Sequence, residues 1–424
     1  RKIYKINSYW RSLLLFVTIE QRGLIKMKEI LAILLILPII MGVFGCTKQN
    51  NSVSKEKKMT IKNPHTIYIR ESYSDKIKAI FSGSTSKETE EVNLKRIKSS
   101  DDYNTYSCTG DYKKYDRVMF IGDDTDKSMV LVFNKYISGY HLEAGSSEGN
   151  IGIPFVYDEK EEDAKYETVS LKYNKDKEKN IFIYTPKEYD KNDKNKKYSV
   201  IYMCDGQNLF DKLSTDKGCW NVAESVNSMM KNSDNNCIVV GIDNGDGNRD
   251  NELTPNIGEI REDQKSLGDF ENGTGKEFSD FVVNTVMKYI NKNYNTYTDK
   301  EHTAVCGSSS GGLEAFYIGM EHSDKFSSIG ALSPAFLLFN ENTWNKYLKN
   351  LDFKGNYPLL YMYNGDGDEL ESMLLTDTKN MIKYLENINY PKDKIIFKKY
   401  KKACHNEHFW RSIFPEFLYY TFNK

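Results

Sequence analysis

A chain of 424 residues is long enough for one large domain and a smaller one. With 39% hydrophobic and 13% aromatic residues it can bury substantial cores, and 59 basic residues against 60 acidic ones leave a formal net charge of -1. That balance holds no basic excess of the kind a nucleic-acid surface requires, so no nucleic-acid partner is expected.

The first segment with a clear physical character starts at Met27, "MKEILAILLILPIIMGVFGC". A lysine follows the methionine, an apolar run extends from Ile30 to Phe44, and Gly45-Cys46 closes it. The run is shorter than the ~20 residues a spanning helix needs, and a charged start with a small-residue end reads as a signal peptide. Its ending "VFGC" resembles a bacterial lipobox, with Phe44 bulkier than usual there. On that reading residues 1–46 are an upstream segment plus a lipoprotein signal, and Cys46 bears lipid. The mature chain is then anchored at the extracellular face of the cell membrane. The polar stretch 47–59, "TKQNNSVSKEKK" and the following Met59, reads as a tether. The other six cysteines form no C-x-x-C pair and read as small buried hydrophobes rather than a disulfide framework.

Residues 60–156 hold short β-like runs broken by polar turns: "TIYIRE", "KIKAIFSG", "RVMFIGDD", "SMVLVFN" and "GYHLEAG". Strands at that spacing predict a small β-sandwich. After the polar stretch "YDEKEEDAKYE", residues 165–424 change to strands alternating with helices. The strand-like runs are "KNIFIYTP", "YSVIYMCDG", "NCIVVGIDNG", "HTAVCG", "PLLYMYNG" and "KIIFKKY". Between them lie helical patterns such as "FSDFVVNTVMKYINKNY" and "LLTDTKNMIKYLENI". Near-continuous apolar strands separated by helices predict an α/β fold with a mostly parallel sheet covered on both faces.

Within that frame "AVCGSSSGGLEAF" lies at a strand-to-helix turn, the setting of a nucleophile elbow. Glycines two before and two after the serine allow the sharp turn, and only Ser309 has both, Gly307 and Gly311. A base and an acid are then expected downstream. Of the three later histidines, His322 lies along the helix that follows the elbow. His405 falls in a loop between "KIIFKKY" and an apolar helix, and His408 falls in the first turn of that helix. Two neighbouring histidines without a third ligand are poor evidence for a metal, and no metal or cofactor is expected. For the acid, "LLYMYNGDGDELES" ends a strand in a carboxylate-rich loop, and Asp366, Asp368, Glu369 and Glu371 all qualify by spacing.

From about Lys179 to Phe422 the chain resembles the esterase family of α/β hydrolases that includes enterochelin-esterase-like enzymes, esterase D, and feruloyl and acetyl-xylan esterases. The resemblance rests on "IFIYTPKEYD", "YSVIYMCDGQNLFD", "VVGIDNGDGNRDNELTP", "AVCGSSSGG", "FSSIGALSPAF" and "HNEHFWRSIFPEFL", in that order. It implies an α/β-hydrolase fold and a serine carboxylic-ester hydrolase with an acyl-enzyme. Ser309 matches the nucleophile and His405 the base. A G-x-x-D turn after the penultimate strand points to Asp368 as the acid, with Glu369 next. The backbone amides of Gln207 and Ser310 match the oxyanion hole. Arg249 reads as a substrate contact or an ion pair, Trp220 and Trp410 as pocket or core, and Glu407 as a support for the histidine loop. Residues 60–155 weakly resemble glycan-binding modules, with Tyr68, Tyr73 and Tyr140 the aromatic candidates. The expected substrate is therefore an acylated, polysaccharide-linked carbohydrate carrying acetyl or feruloyl esters. The alternatives are a catecholate-trilactone siderophore ester, or a non-catalytic surface glycan-binding lipoprotein.

Overall fold

The computed structural model describes residues 65–423, apart from 72–73, 84–87, 101–102, 124–126, 129, 147–148, 156–165, 211–217, 231–235, 246 and 269. The expected signal segment, Cys46 and the tether lie outside the described residues.

The N-terminal part is all β. Its strands are β1 (His65–Glu71), β2 (Lys78–Ser82), β3 (Thr89–Asn93), β4 (Lys95–Ser99), β5 (Asn104–Gly110), β6 (Arg117–Ile121), β7 (Leu131–Val132), β8 (Gly139–Ser146) and β9 (Gly149–Phe155). They build a five-stranded sheet in the order β4-β5-β1-β8-β9 and a four-stranded sheet in the order β3-β2-β6-β7. Strand β1 alternates in burial, as a strand with one face on a core must, and its Ile67 and Ile69 are fully enclosed. They share one cluster with Ala79, Phe81, Tyr106, Val118, Phe120 and Tyr140 from both sheets. Tyr140 is therefore core, with its hydroxyl donating to the Val132 carbonyl, and has no face to offer a sugar. Tyr68 is half-buried on the central strand, and Tyr73 lies outside the described residues.

The rest of the chain continues with β10 (Tyr166–Lys172), β11 (Glu178–Tyr184), β12 (Ser199–Met203), α1 (Val222–Met230), β13 (Cys237–Ile242) and α2 (Arg249–Glu252). Next, α3 (Gly275–Phe281) passes through a π-helical turn, Val282–Val286, into α4 (Met287–Asn293). Then follow β14 (Thr303–Ser308), α5 (Ser310–Glu321), β15 (Ser328–Leu332), α6 (Glu341–Asn350), β16 (Leu359–Asn364), α7 (Glu369–Asn387), β17 (Ile395–Lys399) and α8 (Glu407–Phe422). One eight-stranded sheet runs β10-β11-β13-β12-β14-β15-β16-β17. The pairs β10/β11 and β11/β13 are antiparallel, and all later neighbours are parallel.

Helices cover both faces, so the central strands are buried along their whole length and read as unbroken apolar runs. Alternate residues of one strand feed different cores. Val200 and Tyr202 join a cluster with residues of α3, α4, α5, α6 and α7, whereas Ile201 and Met203 join a cluster with α1 and α8. Burying each such large side chain contributes roughly 1.5–3 kcal/mol. The strand ends and the helices that follow them are thereby fixed, and the functional residues sit at those junctions.

Candidate active site

The three serines of "AVCGSSSGGLEAF" are separated by the turn between β14 and α5. Ser308 ends the strand and Ser310 starts the helix, both buried, while Ser309 between them is partly exposed. Its backbone sits at φ 56°, ψ -124°, a conformation that costs a non-glycine residue about 1–3 kcal/mol. The surroundings enforce it. The Ser309 amide donates to the Leu332 carbonyl at 2.9 Å, and its own carbonyl accepts from Ala335 at 3.1 Å. Gly307 and Gly311 face each other so closely that a Cβ on Gly307 would lie 2.2 Å from the Gly311 carbonyl oxygen.

Across from it, His405 sits in the turn just before α8, whose first residue is capped by Asn406 accepting from the Phe409 amide. The imidazole Nε2 lies 3.0 Å from Ser309 Oγ, and Nδ1 lies 3.1 Å from Glu371 Oε1. A carboxylate only accepts, so Nδ1 carries the hydrogen and the Nε2 lone pair faces the serine hydroxyl. Trp410 presents its ring edge-on to the imidazole at 4.9 Å, and its indole N–H donates to Ser333 Oγ at 3.0 Å. Ser333 in turn donates to Glu371 Oε1.

Glu371, in the first turn of α7, is fully buried. Besides His405 and Ser333 it accepts from the Gly365 amide at 2.9 Å and the Asn364 side chain at 3.4 Å. Burial of a carboxylate is tolerable only with such a set of donors, and a helix N-terminus adds a favourable field.

Asp368, the residue favoured by the G-x-x-D resemblance, holds a different position. It is the N-cap of α7, with one carboxylate oxygen accepting from the Glu371 amide at 2.8 Å and the other from the His405 backbone amide at 2.6 Å. Its oxygens are thus spent on two backbone amides, and the imidazole meets Glu371 instead. Glu369 is exposed, and Asp366 pairs with Lys399 at 2.6 Å while accepting from the Lys402 amide. Burial raises the Asp366 carboxyl, but Lys399, the Lys402 amide and Arg117 outweigh it and hold it below its ordinary value.

Gln207 lies in the short 3-10 turn Gly206–Asn208 after β12, and Ser310 is the first residue of α5. Neither backbone amide donates to another protein group among the described residues. Gln207, Ser309 and His405 line one open cavity of about 930 Å³, together with Asn208, Asp243, Arg249, Asn406 and His408. Arg249 forks onto Asp205 with bonds of 2.6 and 2.8 Å. Glu407 accepts from Asn208 at 3.1 Å and so ties the histidine loop to the 205–208 turn. Trp220 and Trp410 are buried, 2% and 4% exposed, and Trp410 also forms part of the cavity wall. His322 ends α5 with its Nε2 3.1 Å from Ser279 Oγ, away from this cavity.

Residues 174–417, more than half of the chain, match the family described as "Putative esterase". The chain belongs to this esterase family. It is a carboxylesterase with an α/β-hydrolase fold. Solved structures similar to it include a ferulic acid esterase from Anaeromyces mucronatus, 20% identical, covering 63% of this chain and 94% of that one with a TM-score of 0.46. A siderophore hydrolase from Aspergillus nidulans is 18% identical over 60% of this chain and 94% of that one, TM-score 0.46. The enterobactin esterase from Shigella flexneri is 14% identical over 84% of this chain and 92% of that one, TM-score 0.47.

Proposed function

We propose that this esterase hydrolyses acylated carbohydrate through an acyl-enzyme, with Ser309 as nucleophile, His405 as general base and Glu371 as the acid. The observation that carries the reading is His405 bridging the other two, 3.0 Å from Ser309 Oγ and 3.1 Å from Glu371. Nε2 accepts the Ser309 proton as Oγ attacks the ester carbonyl. Glu371 keeps the imidazole oriented and stabilises the imidazolium that forms. The carbonyl oxygen becomes an oxyanion, for which the Gln207 and Ser310 amides are the donors; each such donor is worth about 3 kcal/mol. His405 then returns its proton to the leaving alkoxide, and the same base activates water to release the acid.

The substrate assignment rests on the cavity wall. Asn208, Asp243, Asn406 and His408 bring hydrogen-bonding groups to a wide opening, which suits a polyhydroxyl alcohol. Arg249 is a cation in the same wall, the feature that would favour a catecholate trilactone, but Asp205 already neutralises it through both oxygens. Parallel assays on acetylated glycans, feruloylated glycans and a catecholate trilactone separate these readings, with Ser309→Ala as the blank. The glycan esters are expected to have kcat/KM at least about tenfold above the trilactone, a difference of about 1.4 kcal/mol. A preference for the trilactone would transfer the assignment to siderophore hydrolysis, and undiminished activity in Ser309→Ala would remove the site assignment itself.

A further inference from the structure

Behind the 205–208 turn lies a buried polar network that the hydrolytic chemistry does not use. Asp205 has φ 56° and ψ 47°, a left-handed conformation that a non-glycine residue adopts only when held there. Its amide donates to Asn244 Oδ1 at 3.1 Å. The Asn244 amide in turn donates to the Gln207 side-chain oxygen at 3.0 Å, and Gln207 Nε2 donates back to Asp205 Oδ1 at 3.2 Å. Asn244, just beyond the end of β13, thus grips the turn at its strained residue through Oδ1 and at the cavity-lining Gln207 through its own amide.

Asn244 is itself fully buried and oriented. Its Nδ2 donates to Glu252 Oε2 at 3.1 Å, which leaves Oδ1 directed at the Asp205 amide. Glu252 is fixed by Lys179 at 2.6 Å and Lys177 at 2.9 Å, with the Lys179 and Glu252 side chains 2% and 3% exposed. Lys179 also donates to the Asp243 carbonyl at 2.9 Å. A buried ion pair is a poor source of net stability, yet it specifies geometry where its hydrogen bonds are complete. Here one bond, from the Asp205 amide to Asn244 Oδ1, holds the backbone of the turn, and a second, from the Asn244 amide, holds the Gln207 side chain.

We infer that Asn244 is a positioning residue for the oxyanion hole: with Glu252 and Lys179 behind it, it sets where the Gln207 N–H points. This rests on the proposed roles of Ser309 and Gln207. An oxyanion donor acts on the transition state and little on the bound ester, so displacing it lowers kcat and leaves KM nearly unchanged. A shift of about 1 Å in a reacting group can cost about a hundredfold.

The test is p-nitrophenyl acetate turnover by the full chain, with kcat expressed per site labelled to completion by a fluorophosphonate. For Asn244→Ala, kcat per labelled site is expected to fall about a hundredfold with KM within about threefold of the parent. A purely structural role would instead lower the labelled fraction and leave kcat per labelled site within about threefold of the parent, and that result overturns the inference. Should Asn244→Ala fail to fold, Gln207→Met removes the second bond of the grip, from the Asn244 amide to the Gln207 side chain, from the half-exposed side. It is expected to lose about tenfold in kcat per labelled site, and an unchanged value overturns the inference equally. Ser309→Ala separates the two levels: activity surviving there removes the underlying reading, whereas an inactive Ser309→Ala beside an unaffected Asn244→Ala removes only the role of Asn244.

Discussion

Glu371 and Asp368 stand three residues apart and divide two tasks that a single carboxylate performs in a simpler triad. Glu371 holds the imidazole, and Asp368 holds the backbone of both His405 and Glu371. Replacing Glu371 by Gln keeps the shape but permits the wrong imidazole tautomer, so kcat is expected to fall by about 10⁴. Asp368→Asn retains a competent helix cap and weakens one charge-assisted bond, so a loss of about tenfold is expected. Steady-state kinetics on the two variants decide it, because the reverse order of losses would make Asp368 the acid. Ser309 and His405 were legible in the sequence from the glycine frame and from the loop before an apolar helix. The carboxylate that meets the imidazole was legible by spacing only as one of four candidates, and the resemblance favoured Asp368 over it. The D-x-x-E spacing of Asp368 and Glu371 is a helix-start signature, with the first residue capping and the fourth in the first turn. That signal assigns Asp368 to the cap. What no spacing reveals is that the Glu371 side chain turns toward His405, because its other donors are Ser333, just after β15, and Asn364 and Gly365, at the end of β16.

At the level of elements, α5 is the most tightly constrained, since Ser310 to Met320 are all buried. One of them is Glu314, whose carboxyl oxygens have no hydrogen-bond partner among the described residues. Burial pushes this carboxyl well above its ordinary value of 4.5. In the unfolded chain it ionises above that pH while the folded protein keeps it protonated, so its contribution to stability is complete below about 4.5 and declines as pH rises toward the folded value. Glu314→Gln is therefore expected to unfold at a higher temperature than the parent at pH 8, with a gap that narrows toward pH 4.5. The gain should be roughly 2–4 °C for each kcal/mol relieved. An equal or lower midpoint at pH 8 in thermal scans contradicts this. The same logic of burial explains which elements the sequence revealed. The strands β11, β12, β13, β14 and β16 are largely or wholly enclosed and read as apolar runs. The strands β3, β4 and β10 are not, because much of their surface faces solvent: all five residues of β4, "KRIKS", are exposed. Charged edge strands of this kind resist pairing with other chains, and that same polarity hides them from pattern reading.

Across the whole of the described chain, the β-rich part and the esterase part meet on α8. Asn134 donates to the Ser412 carbonyl at 3.1 Å, Tyr136 packs against Tyr419 at 5.2 Å, and Val132 joins the cluster that contains Trp220, Trp410 and Phe414. The helix they brace begins two residues after His405, so the N-terminal strands contribute to holding His405 as well as forming their own core. This docking was not legible in the sequence, where the polar stretch from Tyr157 suggested only separation; contacts between residues some 278 positions apart leave no periodic trace. The proposed chemistry likewise depends on distant segments converging, with Ser309, Glu371 and His405 each delivered by a different strand-to-helix junction. The most direct measurement of that convergence is labelling of the intact protein with a fluorophosphonate probe, followed by mapping of the modified peptide. A single adduct on Ser309, lost in Ser309→Ala, is expected. A protein that takes no label, or takes it on Ser308, Ser310 or a residue outside this turn, would contradict it.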